Sequence, residues 1–352
     1  VKQLENFTFI LKILSAFVVS FAALPIILAA NENNEPVITG HFRGQYRETP
    51  ARDGDIENLM AATRINLRVP IDSAGCIKAN ARITSGNGFN SEDVYTGIGD
   101  NPSSVKMQMR HMNGEVDLDC YLSDGSEKSD NRHKLEVGAL PIVNEWGLGP
   151  SINGWIDGIR FTIEEKSTRR RWSFSLGSID DLDQPHFFDR NVGNVNHAEV
   201  IVTQSFGPEK SPHTFMISVA EFEDSLYLRS GIKLAIAEYV KYLKTISSEV
   251  LVVDGDRVGT FQEVAGQVGN VRMRVFRTDL DLQSNQSPSD AIRFIKYYYG
   301  LGTNHYAEAT WDFSFSNSPG GQRNNSLQLR VRFPGDEKSA IFLSYTRRFS
   351  TQ

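Results

Sequence analysis

The chain reads as all-β, an antiparallel up-and-down barrel of about sixteen membrane-crossing strands, with fourteen to eighteen allowed. Three observations point there. Alternation of apolar and polar residues with period two recurs from about residue 36 to the end. After residue 30 no stretch approaches the roughly 20 apolar residues that a spanning helix needs. Connections between the alternating segments come in short and long forms, as the two ends of a membrane barrel require.

In order along the chain, residues 1–30 carry Lys2 and Lys12, then an almost wholly apolar run from Ile13 to Leu28, then small residues before Asn31. That layout is expected to be a signal peptide, leaving 31–352 as the barrel. Its removal takes away Lys2, Lys12 and Glu5, two positive charges and one negative, so the formal charge moves from −6 to −7. Pro25 and the Ala29-Ala30 pair favour cleavage over a retained anchor.

Alternation then predicts strands at 36–48, 58–70, 76–84, 113–123, 131–142, 153–166, 169–178, 196–206, 213–222, 227–242, 246–253, 258–266, 270–279, 291–300, 305–316, 325–334 and 338–349. That is one more than an even barrel takes, so one of them is superfluous. In Thr63–Val69, Ile65, Leu67 and Val69 oppose Arg64, Asn66 and Arg68. In Leu327–Phe333 four apolar residues oppose Gln328, Arg330 and Arg332. Alternation is weakest at 246–253 and 258–266, and 227–242 also fits a helical period. Trp155, Trp172, Trp311 and Tyr345 sit near strand ends on apolar faces, as an aromatic girdle does.

A soluble sandwich is the rival architecture, with its apolar face against a second sheet. The girdle and the amphipathic last strand weigh against it. With 37 basic and 43 acidic residues the composition argues against a globally basic nucleic-acid binder while leaving room for a local basic patch, and no nucleic-acid partner is expected. Two cysteines are too few for a disulfide framework or a cysteine-based zinc site, so no cofactor or metal is expected. Cys76 shares parity with Lys78 and Asn80, whereas Cys120 shares parity with Val116 and Leu118. A regular sheet puts these two sets on opposite faces, which predicts no disulfide between them.

If the apolar face meets lipid, the polar face lines a lumen. The pore-lining set is then Arg43, Arg47, Arg64, Arg68, Arg82, Arg272, Arg274, Arg330 and Arg332, with Glu115, Asp117, Asp119, Glu308 and Asp312. Guanidinium groups grip carboxylates or phosphates and bias permeation towards anions. The alternative is that the same arginines pair with neighbouring acids and stiffen the wall. Catalytic motifs are absent, so no enzyme is expected. Asp180, Asp181, Asp183, His186 and Asp189 cluster in the long connection 178–196, where solvated loop chemistry outweighs a lipase-like or protease-like site. The other long connection, 85–104, leaves a non-conducting adhesive barrel as a further alternative.

The last strand, Ser339–Phe349 (SAIFLSYTRRF), resembles the closing strand of Gram-negative outer-membrane proteins, with Ile341, Leu343, Tyr345 and the terminal aromatic Phe349 on one face. Arg347 at an expected apolar position and Ser350-Thr351-Gln352 after the phenylalanine depart from that pattern. The stretch Lys134–Gly149 looks porin-like, and as pattern the chain resembles porins and, more loosely, alginate-export-type barrels. The resemblance implies an outer-membrane channel for passive diffusion of small hydrophilic solutes, to which the inward arginines add an expected mild preference for anions. It also implies contact with membrane lipid and lipopolysaccharide, handling by the barrel-assembly machinery, and a fold that admits a homotrimer.

Overall fold

The computed structural model describes residues 36–51, 54–86, 107–122, 130–141, 146, 155–178, 195–222, 225–237, 240, 242–255, 257–280, 302–315, 325–334 and 340–350. Sixteen strands follow one another: β1 (Val37–Ala51), β2 (Gly54–Pro70), β3 (Ile77–Gly86), β4 (Met107–Asp117), β5 (Asn131–Pro141), β6 (Trp155–Glu165), β7 (Arg170–Ser178) and β8 (His197–Phe206). The second half comprises β9 (His213–Phe222), β10 (Ser225–Ala235), β11 (Leu243–Val253), β12 (Arg257–Val268), β13 (Val271–Leu280), β14 (Gly302–Phe315), β15 (Asn325–Pro334) and β16 (Ala340–Ser350). Each pairs antiparallel with its chain neighbours. β1 pairs with β16, from Thr39 opposite Ser350 to Glu48 opposite Ile341, and the barrel closes.

Closure explains how the backbone is satisfied: every strand has two partners, so no edge of N–H and C=O groups faces hydrocarbon. The side chains are inverted relative to a soluble protein. Ile159, Phe174, Leu176, Val200, Ile217, Val219, Leu228, Val250, Val264 and Val275 are exposed, whereas Glu136, Arg160, Glu199, Ser218, Arg229, Glu249, Glu308 and Arg332 are buried. Both sets alternate along the same strands, so the greasy face turns outward and the charged face inward. No soluble sandwich has that distribution.

The strand ends joined by the long connections 87–106, 142–154, 179–196 and 281–301 are all at one end of the barrel. The opposite end carries the start of β1, the end of β16 and tight turns such as 166–169, 207–212 and 269–270.

β13 pairs directly with β14, Leu280 opposite Gly302, so the barrel closes without a strand at 291–300, a segment outside the described residues. The weakly alternating 246–253 and 258–266 are strands, and 227–242 is β10 followed by a turn rather than a helix. The expected strand at 113–123 requires correction. β4 ends at Asp117 and a one-turn helix, α1 (Leu118–Leu122), follows. Asp117 starts it: its Oδ1 accepts the Cys120 N–H at 3.2 Å, the bond by which an N-cap satisfies a first-turn donor.

That helix overturns the expected absence of a disulfide. Cys76 and Cys120 are bonded, with Cα atoms 5.4 Å apart. The parity argument holds only inside a sheet, and neither cysteine is in one: Cys76 ends the turn before β3 and Cys120 lies in α1. Asp72 prepares the turn by accepting the N–H groups of Cys76 and Ile77 at 3.2 and 2.8 Å. The expected signal peptide, residues 1–30, lies outside the described residues.

Candidate functional site: the inner wall

Alternation fixes which side chains reach the interior, and register fixes which of them meet. Around mid-height the inner wall carries alternating charge on neighbouring strands. Glu136 on β5 lies 3.8 Å from Arg160 on β6, and Ser218 on β9 donates to Glu199 on β8 at 2.8 Å. Glu199 in turn lies 3.8 Å from Arg229 on β10. The sequence continues with Glu263 on β12, 3.3 Å from Arg274 on β13. Glu308 on β14 accepts from Arg274 at 3.0 Å and from Arg332 on β15 at 3.0 Å. Each acid in this belt has a cation beside it, which offsets the cost of removing charge from water.

Of the residues expected to line a pore, Arg68, Arg82, Arg272, Arg274, Arg332, Glu115, Asp117, Glu308 and Asp312 form inward ladders. Arg68 bonds Glu115 at 2.9 Å, Arg82 donates to Asn66 at 2.8 Å, and Arg272 donates through Nε to Asp312 at 2.8 Å. Asp117 accepts from Arg132 at 3.0 Å. Arg64 and Arg330 share inward parity with Arg68 and Arg332 on β2 and β15. Arg43 and Arg47 belong to β1, but their side chains lie outside the described residues.

Asp119 is a correction. It is in α1 rather than on a strand, and it accepts the His133 backbone N–H and faces the His133 ring, Oδ1 to Nδ1 2.9 Å. Burial opposes its charge, but the hydrogen bonds and the nearby imidazole outweigh that and hold its carboxyl below the ordinary range.

Trp172 and Trp311 stand near the end with the tight turns; the Trp172 indole N–H donates to Glu165 at 3.2 Å. Trp155 begins β6 at the other end, and its side chain, with those of Tyr345 and Phe349, lies outside the described residues. So do Asp180, Asp181, Asp183, His186 and Asp189.

Two inner-wall features escape sequence reading. Ile156, Phe222, Tyr227, Leu251, Val253, Phe261 and Phe276 form a buried apolar cluster on the inward face. Phe276 stacks on Tyr306 with centroids 4.8 Å apart, and the Arg274 guanidinium lies 4.9 Å from the Phe276 ring. In the sequence these residues merely interrupt the alternation, because inward Phe276 follows outward Val275.

Trp146 is the second feature. It belongs to the β5–β6 connection, yet its ring lies against Gly231 on the inward face of β10, where a Cβ would come within 2.8 Å of it. Lys233 Nζ stands 5.3 Å from the ring centroid. The glycine gives the indole its seat, a role that spacing does not reveal.

No family model matches the chain, and no curated protein matches it in sequence. Solved structures do. The outer membrane protein OpdK of Pseudomonas aeruginosa superposes with a TM-score of 0.54 at 8% identity, over 90% of this chain and 99% of that one. Acinetobacter baumannii OccAB4 gives 0.53 at 10%, over 91% and 100%. A substituted Rh. blastica porin gives 0.51 at 8%, over 90% and 100%. At such identities the likeness is one of fold, and with the inverted side-chain distribution it leads to one conclusion: the chain is a porin-like membrane β-barrel.

Proposed function

We propose that the protein is a passive outer-membrane channel for small hydrophilic solutes, not an enzyme, with a mild preference for anions. The observation that carries the channel reading is a closed barrel whose charged residues turn inward and whose apolar residues turn outward. The end with the tight turns then faces the periplasm and the end with the long connections faces outward. Lipid and lipopolysaccharide would cover the outer face, the assembly machinery would insert the barrel, and the first 30 residues would direct export.

Pairing with acids argues at first sight for a neutral wall, and Arg160, Arg229 and Arg332 are as buried as their partners, but exposure in four other pairs argues otherwise. The Arg68 side chain is 48% exposed against 11% for Glu115, and Arg132 is 43% exposed against 16% for Asp117. Arg272 is 58% exposed against 33% for Asp312, and Arg274 is 28% against 6% for Glu308. In these four pairs long guanidinium arms lie over more recessed carboxylates, so a permeating ion meets the cation first there. Local field, rather than the acidic net charge, sets selectivity.

Replacing Arg64, Arg68, Arg330 and Arg332 by Ser should move the reversal potential in a salt gradient towards cation preference, most strongly at low salt. An unchanged potential rejects the anion preference. A parent protein without conductance in planar bilayers rejects the channel.

A further inference from the structure

Low on the inner wall, beside α1, a cavity of about 340 Å³ is lined by Arg68, Asn80, Glu115, Arg132, Lys134 and Glu164. That volume falls within the range of small-molecule sites. Strand order sets the sequence of charges along it: Arg68 on β2, recessed Glu115 on β4, Arg132 and Lys134 on β5, then Glu164 on β6.

The acids differ in availability. Glu115 is held by Arg68 at 2.9 Å and approached by Asn80 at 3.5 Å, so its oxygens are occupied within the wall. Glu164 is 43% exposed and its ion pair with Arg171 is loose at 3.8 Å. Arg132 and Lys134 rest on Asp117 and Glu136 behind them and keep further N–H donors for the cavity. The cavity therefore presents a cationic side of Arg68, Arg132 and Lys134 and an anionic side of Glu164.

We propose that this cavity is a binding station for a small zwitterion, its carboxylate held by Arg132 and Lys134 with Arg68 adjacent and its ammonium held by Glu164. The proposal rests on the inner wall being reached by solute, as a channel requires, but it names a ligand class that anion preference does not. A carboxylate suits a guanidinium fork, and an ammonium suits an exposed carboxylate.

The floor of the station is rigid. Asp117 bonds Arg132 while capping α1, Asp119 bonds His133, and the Cys76–Cys120 disulfide ties α1 to the turn between β2 and β3. Three of the strands that line the cavity thus converge on one fastened corner, which limits the reorganisation that binding would otherwise require.

Saturation-transfer NMR on the detergent-solubilised full chain tests it with γ-aminobutyrate as probe, and acetate, butylamine, succinate and methylphosphonate as comparators. The expected result is transfer to γ-aminobutyrate that falls at least fivefold in Glu164→Gln and in Arg132→Gln, with acetate and butylamine each weaker. Glu164→Gln should also leave succinate binding as strong as or stronger than in the parent. Succinate or methylphosphonate matching γ-aminobutyrate in the parent would make this a simple anion site and overturn the proposal, as would no transfer to any probe. Unboiled gel migration shows that each variant is folded; among the described residues the ion pair that Glu164→Gln disturbs is the loose one with Arg171. Bilayer conductance of the same preparation tests the channel separately, so the two failures are distinguishable.

Discussion

Glu308 is the inner-wall residue whose loss has the clearest expected consequence. Its side chain is buried, and it is the shared acceptor of Arg274 and Arg332, which also lie over Phe276. Removing the acid leaves two guanidinium groups close together in the wall with their common counter-charge gone. Breaking such an arrangement from one side costs about 3 kcal/mol or more. Glu308→Ala should therefore lower the urea midpoint for loss of the fast-migrating unboiled form, whereas the double change Glu308→Ala with Arg332→Ala should recover part of it. An unchanged midpoint in the single variant would show that neighbouring acids take over. The sequence showed that Glu308 faces the same way as the arginines, because parity is local. It did not show that Glu308 serves two of them, because that depends on cross-strand register, which alternation alone leaves open.

At the scale of the element, strand positions were largely legible, since a period of two survives wherever one face meets lipid. Strands 213–222 and 325–334 coincide with β9 and β15 to the residue. The failure was at α1, where Leu118 and Cys120 continue an outward parity while Asp117 caps a helix. A five-residue helix is too short to display its own period, so the cap was the sole signal.

Two consequences of that corner are measurable. Replacing both Cys76 and Cys120 by Ser opens a loop closed across a separation of 44 residues. Loop entropy puts the loss at roughly 4 kcal/mol. The urea midpoint of the double variant should fall below that of the oxidised parent and match that of the reduced parent. A midpoint equal to the oxidised parent's would show that the hydrogen bonds of the corner suffice.

The second consequence is pH dependence. The Asp119 carboxyl sits below its ordinary range when folded, so its contribution is fully present above the unfolded value of about 4. It is lost as pH falls through the lower folded value. The parent should therefore lose more stability between neutral and acid pH than Asp119→Asn does. Equal losses would rule out this carboxyl as a contributor.

For the whole molecule, the outer wall is uneven. Large exposed apolar side chains project from β6 through β15, whereas none among the described residues of β1–β5 is exposed. There Ala79, Ala81 and Ala139 are buried between neighbouring strands, making a flatter wall. A flat wall suits close approach of another rigid barrel, whereas protruding side chains suit fluid acyl chains. A homotrimer, the assembly the resemblance admits, would pack through β2–β5, and native mass measurement in mild detergent checks it, with three times the mass of one copy as the expected outcome. Leu substituted for Ala79 and Ala81 together should shift that mass towards one copy. A monomeric parent would end the expectation. Assembly was invisible in the sequence beyond a resemblance, because a small residue on an outward face reads equally as packing within the sheet.

The cystine also changes what a broken chain would mean. Residues 76 and 120 bracket β3, the connection 87–106 and β4, making that part of the polypeptide a covalent ring. A protease that severs any one peptide bond inside the ring opens it without separating the two products. On a gel run without reductant, such a molecule keeps the mass of the intact chain, and only reductant reveals the cut. Severing a bond in the connection between β7 and β8 releases two pieces under either condition once the barrel is denatured. Of the long connections at one end of the barrel, the first is therefore the one that can be cleaved, or have foreign sequence spliced into it and then processed, while the protein remains a single covalent body.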